Sequence, residues 1–455
     1  MSEVRSVREW CERVERREVH VAVIGLGYVG LPLALLFAEE RIRVTGFDID
    51  AAKVEALNAG TSYIHRIEAE EIAAARAVGF RATTDFAEIR DCDAVLICVP
   101  TPLHPDHTPD MSFVTGTLEA LAPHTRAGQL IVLESTTWPG TTDEIVVPML
   151  EELGPVKVLR GKGSGPRAQG PEGELDGLLV AFSPEREDPG NVTVARRAIP
   201  KVIGGVGSSA TAAAVALYGV IFDRTVTVSS PAAAEMTKLL ENIYRGVNIA
   251  LVNELKQLCL AMGIDIWEVI DAAATKPFGF QAFYPGPGIG GHCIPVDPFY
   301  LSWRARQFDQ PTRFIELAGQ VNEAMPEFVL RTVERALLRE GKELSGAKVL
   351  ILGVAYKRDV DDLRESPALT LFDLLEKAGA AVAYNDPFFP TVGRGRRYKL
   401  ETASTPLEKI GEFDCVVLVT DHSAYDYAAL VEASRLFVDT RNATRGIVSA
   451  KIVRC

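Results

Sequence analysis

Short apolar runs alternate with amphipathic stretches over most of the chain. The opening residues have the pattern of a polar helix, and residues 19–25 (VHVAVIG) then read as a buried strand. LGYVGLPLALLFAEE (26–40) follows with helical periodicity, and RVTGFD (43–48) is the next strand. Further strand-length apolar runs come at 94–99, 130–135, 178–183 and 201–205, with helical stretches between several of them. This alternation predicts a parallel sheet covered by helices on both faces. The Gly-rich polar stretch 161–173 interrupts it and reads as a flexible surface loop.

From Pro231 to Met262 the pattern changes to one helical run, with Pro231 suited to its start and Gly263 to its stop. Leu239, Leu240 and Ile243 predict that this helix is largely buried. Helical segments continue to about Leu338. A second strand–helix series then appears: a strand at 347–353, a helix near Pro367–Ala378, and strands at 381–386, 414–420 and 435–440. The predicted fold class is α/β, two Rossmann-like doubly wound domains joined by a long central helix and a helical middle domain. The expected boundaries are 1–210, 211–338 and 339–455.

Composition narrows this picture. The 455 residues suit about three domains at roughly 150 residues each. With 48 Lys and Arg against 61 Asp and Glu, the net charge of −13 disfavours nucleic acid as a partner. No apolar run approaches the roughly 18 residues of a membrane span, and the charged N-terminus has no signal-peptide core. The 7 cysteines are scattered without CxxC spacing, which predicts a reducing, cytoplasmic setting rather than a disulfide frame. His65 and His292 lack a partner at ligand spacing, so no metal site is predicted.

Three segments carry candidate chemistry. Gly25-Leu26-Gly27-Tyr28-Val29-Gly30 follows a strand and opens a helix, the context in which glycines cradle a pyrophosphate at a helix N-terminus. Asp48, at the end of the next strand, is placed to bond a ribose hydroxyl and repel a 2′-phosphate, which predicts NAD rather than NADP. Gly353-Val354-Ala355-Tyr356-Lys357 sits at the equivalent turn of the second series without that fingerprint, so one NAD site is expected. The segment from Tyr284 to Pro298 is dense in glycine and proline and delivers Cys293 near the start of a helical turn, where a thiolate is stabilised. The ordinary fate of a cysteine is burial in a turn, and Cys92, Cys98, Cys259 and Cys415 in apolar runs are assigned to it. On the long helix, Lys238 and Asn242 stand four apart on one face, and a lysine aimed into a cleft would neutralise an oxyanion.

AAEMTKLLEN, GGHCIPVDPFYL, SPERE and GVAYKRDVDDLRESPA together resemble the UDP-glucose/GDP-mannose dehydrogenase family, over about residues 18 to 445. LENIYRGVNIALVNEL and AAATKPFGFQAFYPGPG are most similar to the bacterial UDP-N-acetylglucosamine 6-dehydrogenase branch. The resemblance implies an NAD-binding domain at 1–210, a dimerisation and catalytic domain at 211–338, and a UDP-sugar-binding domain at 339–455 of a homodimer in polysaccharide biosynthesis. It implies Cys293 as nucleophile, Lys238 and Asn242 as the oxyanion and water pair, Asp297 as their orienting partner, and catalytic roles for Glu185 and Thr136. Cofactor contacts would come from Gly25, Gly27, Tyr28, Val29, Gly30, Asp48, Lys53, Pro100, Thr101, Thr136 and Arg364. Substrate contacts would come from Glu185, Arg186, Lys238, Asn242, Tyr284, Gly286, Gly288, Lys357 and Arg441.

The implied reaction is oxidation of a UDP-sugar at C6 through a cysteine thiohemiacetal and thioester, with two hydrides passed to two NAD. UDP-N-acetylglucosamine is the expected sugar, with UDP-glucose, UDP-N-acetylmannosamine and UDP-N-acetylgalactosamine as alternatives. A non-catalytic sensor of NAD and sugar nucleotide is the reading from a different class. Relatives acting on UDP-glucose carry a second glutamate where this chain has Pro189, and an arginine lent by a neighbouring subunit has no clear match near Lys276.

Overall fold

The computed structural model describes residues 6–64, 67–104, 106–160, 175–187, 194–291, 293–393 and 402–455, with the side chain of Cys293 outside the description. His65, Pro189, His292 and the 161–173 loop also lie outside it. The chain divides into two units, Met1–Glu241 with Trp303–Asp309, and Asn242–Ser302 with Gln310–Cys455. The break falls inside the long helix, and the expected boundary at 210 falls inside the helix Ser208–Tyr218, whose buried face joins the first unit's core.

In the first unit eight strands form one sheet: β1 His20–Ile24, β2 Arg43–Phe47, β3 Arg81–Thr83, β4 Ala94–Ile97, β5 Leu130–Leu133, β6 Leu179–Phe182, β7 Lys201–Gly205 and β8 Thr225–Thr227. Their order, β3-β2-β1-β4-β5-β6-β7-β8, begins with the strand order of a dinucleotide-binding fold. Alternate side chains feed two cores: Val21 and Val23 pack on one face, Ala22 and Ile24 on the other. Burial on both faces is why these strands read as unbroken apolar runs. One expectation is corrected here. The sheet is not wholly parallel, because β7 runs antiparallel to β6, with Ala181 opposite Gly205 and Phe182 opposite Gly204.

The second unit holds a five-stranded parallel sheet, order β10-β9-β13-β14-β15, with β9 Lys348–Leu352, β10 Ala381–Asn385, β13 Cys415–Leu418, β14 Phe437–Asp439 and β15 Ile452–Arg454. A two-stranded ribbon, β11 Thr391–Val392 and β12 Thr402–Ala403, stands apart. Among the described residues, no helix is long and apolar enough to cross a membrane.

The helix Pro231–Met262 has 32 residues and is about 48 Å long at 1.5 Å per residue. Gly263 ends it at φ +73°, a left-handed conformation that favours glycine. Glu235, Lys238, Asn242, Asn253 and Lys256 are all buried on it, at helical spacing. A second stripe faces outward: Leu240, predicted to be buried, is 58 % exposed, alongside Met236, Tyr244, Leu251 and Leu258.

Glu235 is fully buried and accepts hydrogen bonds from the Gly140 N–H (2.6 Å), the Thr142 N–H (2.9 Å) and the Thr142 hydroxyl (2.7 Å). It thereby fastens the Thr136–Gly140 loop that follows β5 and the π-helical turn Thr142–Val146. Burial pushes its carboxyl up to about 7, against the downward pull of those three donors. The folded state therefore holds a proton that the unfolded chain has already released above its ordinary value. Stability from this group is greatest in mild acid and falls as pH rises through about 7, by roughly 3 kcal/mol in all. Glu235→Gln, which cannot titrate, should shrink the difference in urea midpoint between pH 5.5 and pH 8. An unchanged difference would show that Glu235 is not its source.

Candidate active site

The turn after β1 has the geometry its glycines predict. Gly25 adopts φ +88°, and a Cβ on Gly30 would lie 2.0 Å from the Gly25 carbonyl oxygen. A Cβ on Gly27 would meet nothing within 4 Å, which leaves an open backbone cradle before the helix Gly30–Glu39. The residues present thus fit a dinucleotide pyrophosphate. Tyr28 packs on the neighbouring core, and Val29 caps the helix. Asp48 is buried at the end of β2: its Oδ2 accepts from the Leu26 N–H at 2.9 Å, and Lys53 lies 3.5 Å away. Beyond β4, Pro100 is exposed and Thr101 buried.

The second sheet repeats this turn with a different outcome. Asp386, at the end of β10, accepts from the N–H groups of Val354 (2.7 Å) and Ala355 (3.0 Å) and from the Phe388 N–H, and meets His422 Nε2 at 3.1 Å. Asp48 is bonded at both oxygens as well, its Oδ1 accepting from the Asp50 N–H at 3.0 Å, so what sets Asp386 apart is the buried His422 ring against it.

Lys238 is buried on the long helix. It acts electrostatically on Glu185, which stands just past β6. Glu185 Oε1 accepts from the N–H groups of Arg186 and Glu187, both at 2.7 Å, and its Oε2 lies 3.4 Å from Lys201 Nζ. Burial alone would raise this carboxyl, but Lys201, those backbone donors and Lys238 hold it below the usual carboxylate range. Arg186, expected at the substrate, pairs with Glu241 at 2.5 Å and bonds the Pro200 carbonyl at 2.6 Å. Thr136 is half-buried in the loop after β5.

In the second unit the helix Cys293–Arg306 begins at the predicted cysteine, and Asp297 lies one turn along it. Asn242 Nδ2 donates to Asp297 Oδ2 at 2.5 Å, so these two predicted partners meet. The segment 284–291 is held by backbone contacts. Asn253 Oδ1 accepts from the Gly286 N–H at 2.9 Å, and the Gly291 N–H donates to the Arg364 carbonyl at 2.9 Å. A Cβ on Gly286 would come within 2.6 Å of Arg441 Nη1, and one on Gly290 within 2.6 Å of the Tyr356 Cβ. Gly288 sits at φ +132° against Pro367. Tyr284 stacks on Trp267 and donates to Asp271 at 2.8 Å. Arg441 donates Nε to the Val419 carbonyl at 2.8 Å, Arg364 is paired with Asp362, and Lys357 is half-buried. Glu134, Lys201, Tyr218, Glu235 and Asn253, which the sequence reading did not single out, are buried and hydrogen-bonded beside the predicted residues.

The Asp48–Lys53 pair generates a test. Asp48→Asn keeps an oxygen for the Leu26 N–H and removes the charge, which leaves Lys53 free for a 2′-phosphate. NAD affinity should fall about tenfold or more, and the NAD-over-NADP preference should narrow, both read by titration of the free protein. An unchanged preference would contradict the role given to Asp48.

Sequence models of all three domains of the UDP-glucose/GDP-mannose dehydrogenase family match this chain: the NAD binding domain at 19–222, the central domain at 232–324 and the UDP binding domain at 350–446. The chain is 37% identical to the UDP-N-acetyl-D-mannosamine dehydrogenase of Yersinia pestis, over 78% of this chain and 82% of that one. It is 32% identical to the UDP-N-acetyl-D-glucosamine 6-dehydrogenase of Pseudomonas aeruginosa, over 90% and 92%. The solved UDP-D-ManNAc dehydrogenase of Pyrococcus horikoshii superposes with a TM-score of 0.83 at 30% identity, covering 96% of this chain and 98% of that one. The chain belongs to the UDP-glucose/GDP-mannose dehydrogenase family and is an NAD-dependent nucleotide-sugar dehydrogenase, an oxidoreductase.

Proposed function

We propose that this protein oxidises the C6 hydroxyl of a UDP-2-acetamido-hexose to the uronate, a four-electron reaction. The observation that carries the proposal is the Asn242–Asp297 hydrogen bond. On their own helices, Asn242 stands one turn from the buried Lys238, and Asp297 one turn from Cys293. A non-catalytic sensor has no use for that set.

NAD, when bound, accepts the hydride at each of the two oxidations. Gly25, Gly27, Tyr28, Val29, Gly30, Asp48, Lys53, Pro100, Thr101 and Arg364 are proposed to hold it. Tyr284, Gly286, Gly288, Lys357 and Arg441 are proposed to hold the UDP moiety, with Arg186 supporting Glu185. The Lys238 ammonium offsets charge growing on the C6 oxygen. Asn242 binds that oxygen and a water, with its amide orientation set by Asp297. Cys293, at the first turn of its helix, has its thiolate favoured by the helix dipole. The sulfur adds to the C6 aldehyde to form a thiohemiacetal, and loss of a second hydride leaves a thioester. Water oriented by Glu185 and Thr136 cleaves the thioester, releasing the uronate and returning the thiolate. The outward stripe of Met236, Leu240, Tyr244, Leu251 and Leu258 supports a homodimer built on the long helix. A cytoplasmic location belongs to the same proposal, as does the division of the chain at 210 and 338.

Among the epimers, whole-chain identity to mannosamine enzymes supports UDP-N-acetylmannosamine. The local likeness of residues 276–300 to the glucosamine branch supports UDP-N-acetylglucosamine as the second reading. Both 2-acetamido sugars should exceed UDP-glucose in kcat/KM by about tenfold or more, since the pocket must bond an amide that glucose lacks. A preference for UDP-glucose would overturn the acetamido reading.

Removing the sulfur separates the two half-reactions. Cys293→Ala should bind NAD and UDP-sugar almost as the parent protein does, yet show neither a covalent adduct nor steady turnover. Cys293→Ser should trap an ester or stall at the aldehyde, seen as an intact-mass shift or a trappable carbonyl. Near-parental turnover by Cys293→Ala would exclude covalent catalysis at this residue.

A further inference from the structure

Lys201 is the first residue of β7 and is only 2 % exposed. Its ammonium lies 2.6 Å from Glu134 Oε2 and 3.4 Å from Glu185 Oε2, and packs over the rings of Tyr218 and Phe222. The Tyr218 hydroxyl donates to the other oxygen of Glu134. The reversed strand explains the meeting. The antiparallel pairing of Ala181 with Gly205 and Phe182 with Gly204 puts the start of β7 on the side of the chain that leaves β6. A parallel strand would put its far end there.

An ion network this deep carries a desolvation cost of several kcal/mol per charge, which apolar residues of the same volume would avoid. The network has one open end. The side chains of Lys201 and Glu134 are essentially inaccessible, and that of Glu185 is 20 % exposed. We propose that Lys201 is a positioning residue that keeps the Glu185 carboxylate ionised and fixed in orientation, with Glu134 and Tyr218 forming the other half of its cradle. The proposal rests on the reading of Glu185 as the carboxylate that orients the hydrolytic water.

The charges facing this carboxylate are few enough to separate. Glu134 reaches it from the end of β5, Lys201 from β7, and Lys238 from the long helix. Cys98, after β4, is a neighbour of the network whose thiol burial keeps neutral, and Tyr218 is likewise held as the neutral phenol. Arg186, next in the chain, is matched by Glu241. Two variants should therefore act in opposite directions. Glu134→Gln removes a negative neighbour and leaves Lys201 to Glu185 alone. The double variant Lys201→Met with Glu134→Gln removes the cation without stranding a buried carboxylate.

The test is an infrared titration of Glu185 in the ligand-free protein, assigned by difference against Glu185→Gln. It is paired with the pH profile of kcat for the half-reaction that starts from the UDP-sugar 6-aldehyde. The midpoint and the acid limb should move to lower pH in Glu134→Gln. Both should move upward by about one pH unit or more in the double variant, and Lys201→Arg should return them to the parental position. A Glu185 midpoint in the double variant equal to that of the parent would overturn the proposal while leaving the Glu185 reading intact. A midpoint that moves while Glu185→Gln keeps the parental kcat would instead overturn the reading of Glu185, and the positioning role with it.

Discussion

A stripe of buried polar side chains along one helix holds the loops around it in place. Glu235 fastens the loop bearing Thr136, Asn242 holds Asp297, Asn253 holds Gly286, and Lys256 bonds the Thr440 carbonyl beside Arg441. Each bond satisfies a group whose burial would otherwise cost about 1–3 kcal/mol. The loops they tie are therefore kept in place by desolvation as much as by attraction. Lys238, buried on the same stripe, acts electrostatically on Glu185.

The two sheets show how one turn serves two ends. In each, a carboxylate at a strand end bonds the backbone of the neighbouring strand's turn: Asp48 to Leu26, Asp386 to Val354 and Ala355. Beside Asp48 the turn keeps an open glycine and a nearby lysine. Beside Asp386, His422 and the Phe388 N–H take up the remaining capacity. The same scaffold is a cofactor cradle in one place and a sealed structural joint in the other.

Much of this was legible in the residues. Gly25 is required by its left-handed φ and Gly30 by its approach to the Gly25 carbonyl, while Gly27 between them leaves the cradle open. Lys238 and Asn242 share a helix face by simple periodicity, and Glu235 and Asn253 continue that face, so the same rule would have found them. Lys201 was hidden because KVIGG reads as the same apolar strand in either direction, and only the antiparallel pairing turns the start of β7 toward the chain that leaves β6. Leu240 was misjudged for a related reason. A helix apolar on two stripes looks buried all round, although one stripe here faces outward. Arg186 shows the converse, since a cation beside a predicted catalytic glutamate proved to be matched by Glu241 and the Pro200 carbonyl.

In the proposed reaction, one thiol-bearing site carries the sugar through both oxidations without releasing the aldehyde. The most direct measurement is the stoichiometry of NADH formed against UDP-sugar consumed, followed at 340 nm with an aldehyde trap present. Two NADH per sugar, with no trapped aldehyde, is the expected result. One NADH per sugar with a free aldehyde, or none at all, would contradict it.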